Sequence, residues 1–214
     1  MKSLAECRLY TFVDAAYLAG RSPQEIASQL CDGGSDLIQL RAKNASKEDV
    51  RRMAECLLPI LQKASVGLVI NDHPDVAAQL GADCLHLGQE DFFDAGHRSV
   101  AELRSGSRPL VGLSTHAPEQ AERALAAGAD YIAIGPVFAT GTKPTARPVT
   151  LEYVRWAAKR VSVPWFAIGG IHLGNLDAVL EAGARRICVV SAILNAPDVA
   201  KACRDFRERL PSAL

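Results

Sequence analysis

Two cations and two carboxylates stand where short apolar runs end in this chain, and together they have the makings of an anion-handling site. One run closes in Gln39-Leu40-Arg41-Ala42-Lys43. A strand's period of two puts Gln39, Arg41 and Lys43 on one face, where a guanidinium beside an ammonium calls for an anion between them. The next two runs close in Asn71-Asp72-His73 and in His86-Leu87-Gly88-Gln89-Glu90-Asp91. Carboxylates from neighbouring strand ends can share a hard cation, and Mg²⁺ takes one or two of them while substrate phosphate and water complete its octahedron. Asp72 and Asp91 are therefore the candidate ligands. Blander readings stay open: Asp72 could cap a helix opening near Pro74, and Glu90 and Asp91 could be solvated loop residues.

Later run ends add polar groups of another kind. Gly112-Leu113-Ser114-Thr115-His116 places a hydroxyl beside an imidazole, but no G-x-S-x-G elbow or supporting acid accompanies them, so Ser114 reads as a hydrogen-bonding contact rather than a nucleophile. Thr115 and His116 could simply cap a helix. The stretch from Gly135 to Pro144 offers Thr140, Gly141, Thr142 and Lys143. Backbone N–H groups, hydroxyls and an ammonium suit a phosphate, although the spacing is not that of a Walker loop. Gly169-Gly170 and Val190-Ser191 close the last two runs, and glycines there would let backbone approach a second phosphate. His73 and His86 lack His or Cys partners at transition-metal spacing. His86 reads as a hydrogen-bonded interior residue, and His97 and His172 as loop residues without a chemical partner.

These ends need a scaffold that gathers them. Eight β-branched or aromatic runs, beginning at Arg8, Asp36, Val66, Cys84, Pro109, Asp130, Pro164 and Arg186, alternate with stretches of helical period, the pattern of a parallel α/β fold. Ser22-Pro23 with Glu25, Ser46 with Asp49, and Ala117-Pro118 open helices; Gly33-Gly34, Gly81, Gly128 and Gly183 stop them in left-handed caps. The phrases QLGADCLHLG, AAGADYIAIG and EAGARRICVV repeat one plan of helix end, glycine and buried strand. That favours a closed (β/α)₈ TIM barrel over an open doubly wound sheet, with residues 1–214 as a single domain. Lysine plus arginine equal aspartate plus glutamate at 24 each, so no long-range field would gather nucleic acid or an anionic membrane. The six scattered cysteines read as reduced thiols, no leader or membrane span is evident, and the expected location is cytoplasmic. The sequence is compatible with a homo-oligomer.

In order, QLRAK, INDHPD, HLGQED, GLSTH, GPVFATGTK, AIGG and VVSAI resemble the motifs of the thiamine phosphate synthase family, over nearly the whole chain. The resemblance implies joining 4-amino-2-methyl-5-(diphosphooxymethyl)pyrimidine to a carboxylated or simple thiazole phosphate, releasing pyrophosphate, and CO₂ from the carboxylated form. It implies pyrimidine pyrophosphate contacts from Gln39, Leu40, Arg41, Ala42, Lys43, Asn71, Ser114 and Lys143. Asp72 and Asp91 would bind Mg²⁺. Thr140, Gly141, Thr142, Gly170, Val190 and Ser191 would hold the thiazole phosphate. The implied mechanism is dissociative, with Lys143, Ser114 and Arg41 acting on the leaving group and substrate. Ala42 replaces a glutamate common in the family, and the LYTFVD segment at the N-terminal end is atypical. Two alternatives are a thiazole tautomerase-like barrel, which shares the barrel and a histidine near the fifth-strand end but resembles this chain poorly in its metal and pyrimidine motifs, and a non-catalytic sensor of thiamine precursors, against which the intact charge-handling residues argue.

Overall fold

Each of the eight apolar runs is a strand in the computed structural model, which describes residues 1–104, 106–140 and 147–211. They are β1 (Leu9–Asp14), β2 (Leu37–Arg41), β3 (Gly67–Asn71), β4 (Cys84–Gly88), β5 (Leu110–Thr115), β6 (Tyr131–Ile134), β7 (Trp165–Ile168) and β8 (Ile187–Cys188). Every strand pairs in parallel with the next, and β8 returns to β1 through Leu9 opposite Ile187, so the sheet closes into a (β/α)₈ barrel in chain order. Closure leaves no sheet edge unpaired. Helices follow the strands in turn: α1 (Pro23–Asp32), α2 (Lys47–Ala64), α3 (Pro74–Leu80), α4 (Gln89–Asp94), α5 (Pro118–Ala126), α6 (Thr150–Arg160), α7 (Leu176–Glu181), then α8 (Ser191–Leu194) and α9 (Val199–Arg209). Among the described residues no helix is long and apolar enough to cross a membrane.

The local signals act largely as expected. Ser22 and Ser46 accept from the backbone N–H of Glu25 and Asp49 and so start α1 and α2, satisfying amides that have no partner inside the helix. Gly81, Gly128 and Gly183 have positive φ, but at the end of α1 it is Gly34 that turns left-handed, at +84°, while Gly33 keeps right-handed φ. Gly33 is needed for another reason: a Cβ there would press on Cys203 of α9. The six cysteines are free thiols, four of them buried.

Alternation along the strands sends one set of side chains to the helices and the other to the barrel axis. Tyr10, Tyr131 and Phe166 fill that axis at 1% exposure or less, with the Phe166 ring edge-on to both tyrosines at 5.4 and 6.0 Å. Gly112 makes room for them, since a Cβ there would enter the Tyr131 ring.

At the opposite end from the strand tips, Asp36 ties the barrel together. Its buried carboxylate accepts from the amides of Arg8 and Leu9 and from Lys2, and pairs with Arg207 of α9. Burial pushes this carboxyl up, but the two amides and the two cations outweigh it and hold it below the usual aspartate range. A carboxyl depressed on folding stabilises fully above its unfolded value, and that contribution disappears as pH falls through the folded one. Asp36→Asn should therefore cost about 3 kcal/mol at neutral pH, because it strands cations around a neutral group. Chemical denaturation of both proteins along a pH series should show the gap closing as pH falls below the ordinary aspartate range and through the depressed folded value.

Candidate active site

The strand tips open onto one cavity, and alternation explains its lining. From β1 to β8 the inward positions near the tips are Phe12, Gln39, Arg41, Asn71, His86, Gly88, Ser114, Ala133, Ile168 and Cys188, and Lys43, Asp72, Asp91, His116, Thr140, Gly170, Val190 and Ser191 complete the rim. Most of the residues singled out above are thus brought to one mouth. Leu40 is not: its side chain is buried on the outward face of β2, leaving only its backbone near the mouth. Ala42 is also buried and borders a second recess beside the mouth. Gly141, Thr142 and Lys143 lie outside the described residues.

Arg41 does not face Lys43 unrelieved. Asp14, its register partner on β1, sits 2.6 Å from the guanidinium with its side chain 2% exposed, and also accepts from the Ala16 amide. The anion that the two cations seemed to demand is, for Arg41, partly supplied by the protein. Lys43 remains exposed at the rim.

The carboxylates come from adjacent strands, as expected, and both also face the second recess. Asp72 does not cap α3, whose first turn has His73 at the cap position and no side-chain bond. Instead its φ is +63°, its N–H donates to the His86 carbonyl at 3.0 Å, and Asn71 Nδ2 donates to its Oδ2 at 2.6 Å. A left-handed aspartate whose carboxylate is steered by its neighbour fits a functional position better than a structural one. Asp91 lies in the first turn of α4 with Oδ2 folded back over Gly88, so closely that a Cβ on that glycine would come within 2.5 Å. Among the described residues no group of three or more His, Cys, Asp or Glu side chains could hold a metal. The donor set is therefore two exposed carboxylates with open space before them, which suits a hard divalent ion that brings water and substrate oxygens and not a four-ligand zinc site.

At the other side of the mouth the turns are almost bare backbone. Gly169 and Gly170 have φ of +100° and +63°, and a Cβ on Gly170 would meet Ala139 O at 2.5 Å and Phe138 Cβ at 2.8 Å. The β6 and β7 turns are stitched together by Val137 N to Ile168 O and Phe138 N to Gly169 O, at 2.8 and 3.1 Å, and Asn175 Nδ2 holds Gly170 O at 2.9 Å. A phosphate could approach such a surface closely, with Ser191 opposite at the start of α8.

His86 is hydrogen-bonded inside the barrel as expected, with Nε2 2.9 Å from Ser114 Oγ and Nδ1 3.3 Å from Tyr131 Oη. Thr115 and His116 are not helix caps. α5 starts after Ala117 with no side-chain cap; Thr115 donates to Ala133 O at 3.0 Å, and the His116 ring bonds to Gly135 O. His97 has a partner after all: its Nδ1 is 3.0 Å from Glu102 and its ring lies 5.3 Å from that of Phe92.

A closed (β/α)₈ barrel with cations, paired carboxylates and glycine turns at its strand tips defines an enzyme of phosphorylated small molecules. Residues 9–193 match the family model described as thiamine monophosphate synthase. The thiamine-phosphate synthase of a Thermus thermophilus strain is 51% identical over 83% of this chain and 84% of its own. That of Halalkalibacterium halodurans is 41% identical over 95% of both. A solved structure, the thiamine phosphate pyrophosphorylase from Pyrococcus furiosus, superposes with a TM-score of 0.81 at 29% identity over 97% of this chain and 96% of that one. The chain belongs to the thiamine monophosphate synthase family.

Proposed function

We propose that this single-domain barrel is a transferase that joins 4-amino-2-methyl-5-(diphosphooxymethyl)pyrimidine to thiazole phosphate, giving thiamine phosphate and pyrophosphate, with CO₂ when the thiazole is carboxylated. The observation that carries the reading is the division of the mouth into a charged half at β2, β3 and β4 and a backbone half at β6, β7 and β8. One half suits a pyrophosphate and the other a phosphate, as two phosphorylated substrates require.

In this reading Arg41, Lys43 and Asn71 grip the pyrophosphate, Gln39 and Ser114 meet the pyrimidine, and Thr140, Gly170, Val190 and Ser191 seat the thiazole phosphate. Lys143 is assigned to the leaving group, and Gly141 and Thr142 to the phosphate, by family resemblance alone. The carbon–oxygen bond breaks with both electrons going to pyrophosphate, and the thiazole nitrogen captures the pyrimidinylmethyl cation. No enzymic nucleophile is needed; the protein's contribution is to fix both partners and to stabilise charge on the departing group. Asp72 and Asp91 fit Mg²⁺ as its protein ligands. When bound, that ion supplies positive charge to the leaving pyrophosphate.

The test is to mix the protein with both precursors and Mg²⁺ and to follow thiamine phosphate and pyrophosphate. Condensation is expected. Binding of both precursors without condensation would overturn the reading in favour of a sensor, and isomerisation of the thiazole alone would indicate a tautomerase. Gly170→Ala tests the backbone half separately. Its methyl group would push into Ala139 O, and a displacement of that size should raise KM for thiazole phosphate about tenfold to a hundredfold in steady-state assays. KM for the pyrimidine substrate should hardly move.

A further inference from the structure

Behind the tips of β2, β3 and β4 lies the second recess, which the condensation leaves unused. Alternation along the strands turns Ala42 and Leu87 away from the barrel axis, and these two form its floor with Phe92 of α4 and Leu103 of the 3₁₀ turn at Val100–Leu103. All four are apolar, and the first three are buried. The His97 ring forms a side wall and lies against Phe92 with their centroids 5.3 Å apart. That ring is held in place: a carboxylate only accepts, so His97 Nδ1 donates to Glu102 at 3.0 Å, and the same glutamate accepts from the amides of Arg98 and Ser99. The recess encloses about 570 Å³, which is ample for an aromatic ring and within the range of small-molecule sites.

Another wall belongs to the mouth as well, because Lys43, Asn71, Asp72 and Asp91 line both spaces. In the function proposed above this shared wall takes the pyrophosphate: the ammonium and the amide donate to it, and the two carboxylates fit its Mg²⁺. A pyrophosphate seated there has a cavity on either side, and its ester group has two ways to turn. Toward the mouth the group meets Gln39 and Ser114 and faces the thiazole phosphate half; toward the recess it meets the apolar floor. We propose that the recess is a second binding site, for the organic group of apolar or aromatic pyrophosphate monoesters, and that these esters bind there unproductively and exclude the pyrimidine substrate. Seating of their pyrophosphate on the shared wall rests on the function proposed above. Their preference for the recess does not: an apolar group gains by leaving water for the floor, whereas in the mouth it would cover Gln39 and Ser114 without giving them a hydrogen bond. An ester turned this way carries its carbon–oxygen bond away from the thiazole phosphate half, so no transfer follows.

Methyl diphosphate and 2-phenylethyl diphosphate carry the same charge and differ in apolar area, and each can be titrated calorimetrically into the protein with Mg²⁺. Wild type should bind the phenylethyl ester about tenfold to a hundredfold more tightly, the gain expected from burying a group of that size. Leu103→Trp and Ala95→Trp each put an indole into the recess from a position outside the shared wall. Both should abolish most of the gain, with methyl diphosphate bound as in wild type. In condensation assays the phenylethyl ester should inhibit wild type competitively with the pyrimidine substrate. Equal affinity for the two esters, a full gain in both filled variants, or inhibition that excess pyrimidine substrate does not relieve would overturn the proposal. A further measurement places the phenyl group in wild type itself. In ¹H–¹³C NMR of histidine-labelled protein, with the His97 ring assigned by His97→Gln, its resonances should move on adding the phenylethyl ester and stay on adding the methyl ester. Resonances unmoved by both would put the group elsewhere and overturn the proposal. Wild type that condenses its precursors but shows no phenylethyl gain would remove this inference and leave the function standing. A gain that the filled variants lose, without condensation, would do the reverse.

Discussion

Asp91→Ala should fold as wild type does and lose about a thousandfold in kcat/KM, with the remaining activity demanding far more Mg²⁺. The size of the loss follows from the sparse donor set. With two carboxylates at the mouth and no third acidic, thiol or imidazole group clustered with them among the described residues, removing one would leave the proposed Mg²⁺ a single charged protein ligand. The barrel should tolerate the change because Asp91 is exposed and lies in the first turn of the short helix α4, where loss of a favourable dipole contact is worth about 1 kcal/mol or less. Steady-state rates across a Mg²⁺ titration, with thermal unfolding as a control, decide the matter. A rate within tenfold of wild type at limiting Mg²⁺ would remove Asp91 from the metal site. Gly88→Ala offers a check that leaves the carboxylate in place: it should raise the Mg²⁺ requirement as well, because the new methyl group displaces Asp91 Oδ2 from its seat.

The second large effect is expected at Arg41. Arg41→Met removes a guanidinium from the half of the mouth assigned above to the leaving group and should lower kcat about 10²- to 10³-fold, the usual cost of losing one well-placed donor to a developing anion. It should also cost about 3 kcal/mol of stability, because Asp14 is left as a buried carboxylate without its partner. These two losses have different remedies. Adding Asp14→Asn removes the stranded charge and should recover most of the stability in denaturant titrations, while the rate stays low. Recovery of rate in the double variant would mean that Arg41 serves the fold and not the pyrophosphate.

Asp14 itself shows where reading the sequence stopped. The strand candidate beginning at Arg8 ended at Val13, and the acid that follows looked like part of an atypical segment. Yet Tyr10, Phe12 and Asp14 share one face by the same period of two that aligned Gln39, Arg41 and Lys43. Extending the strand by one residue would have placed the acid opposite the guanidinium. All eight strands and the closed order were legible because a buried parallel strand is a short apolar run, and because the runs end in polar residues or glycines that line the mouth. Alternation separates Gln39 from Leu40 in the structure, although the family resemblance puts both among the contacts.

What the sequence could not supply was register between strands. His86 meets Ser114 only because Gly88 is the register partner of Ser114 across β4 and β5, a fact that no local pattern encodes. The His97 partnership depends on Glu102, which closes a capping box with Ser99 before the following 3₁₀ turn. Here the S-x-x-E signal was present and could have been found. At the end of α1, two consecutive glycines left open which one turns left-handed, and contact with α9 assigned the right-handed one to Gly33.

The aromatic floor carries a consequence for traffic. Tyr10, Tyr131 and Phe166 stop the barrel axis below the mouth, so among the described residues the site opens at the strand tips and not through the barrel. Both precursors enter, and pyrophosphate and the joined product leave, past the same rim of Lys43, Asp72, Asp91 and Thr140. In the proposed reaction, whichever molecule sits deeper must wait for the one above it, and the residues assigned to the charged groups also border the way out.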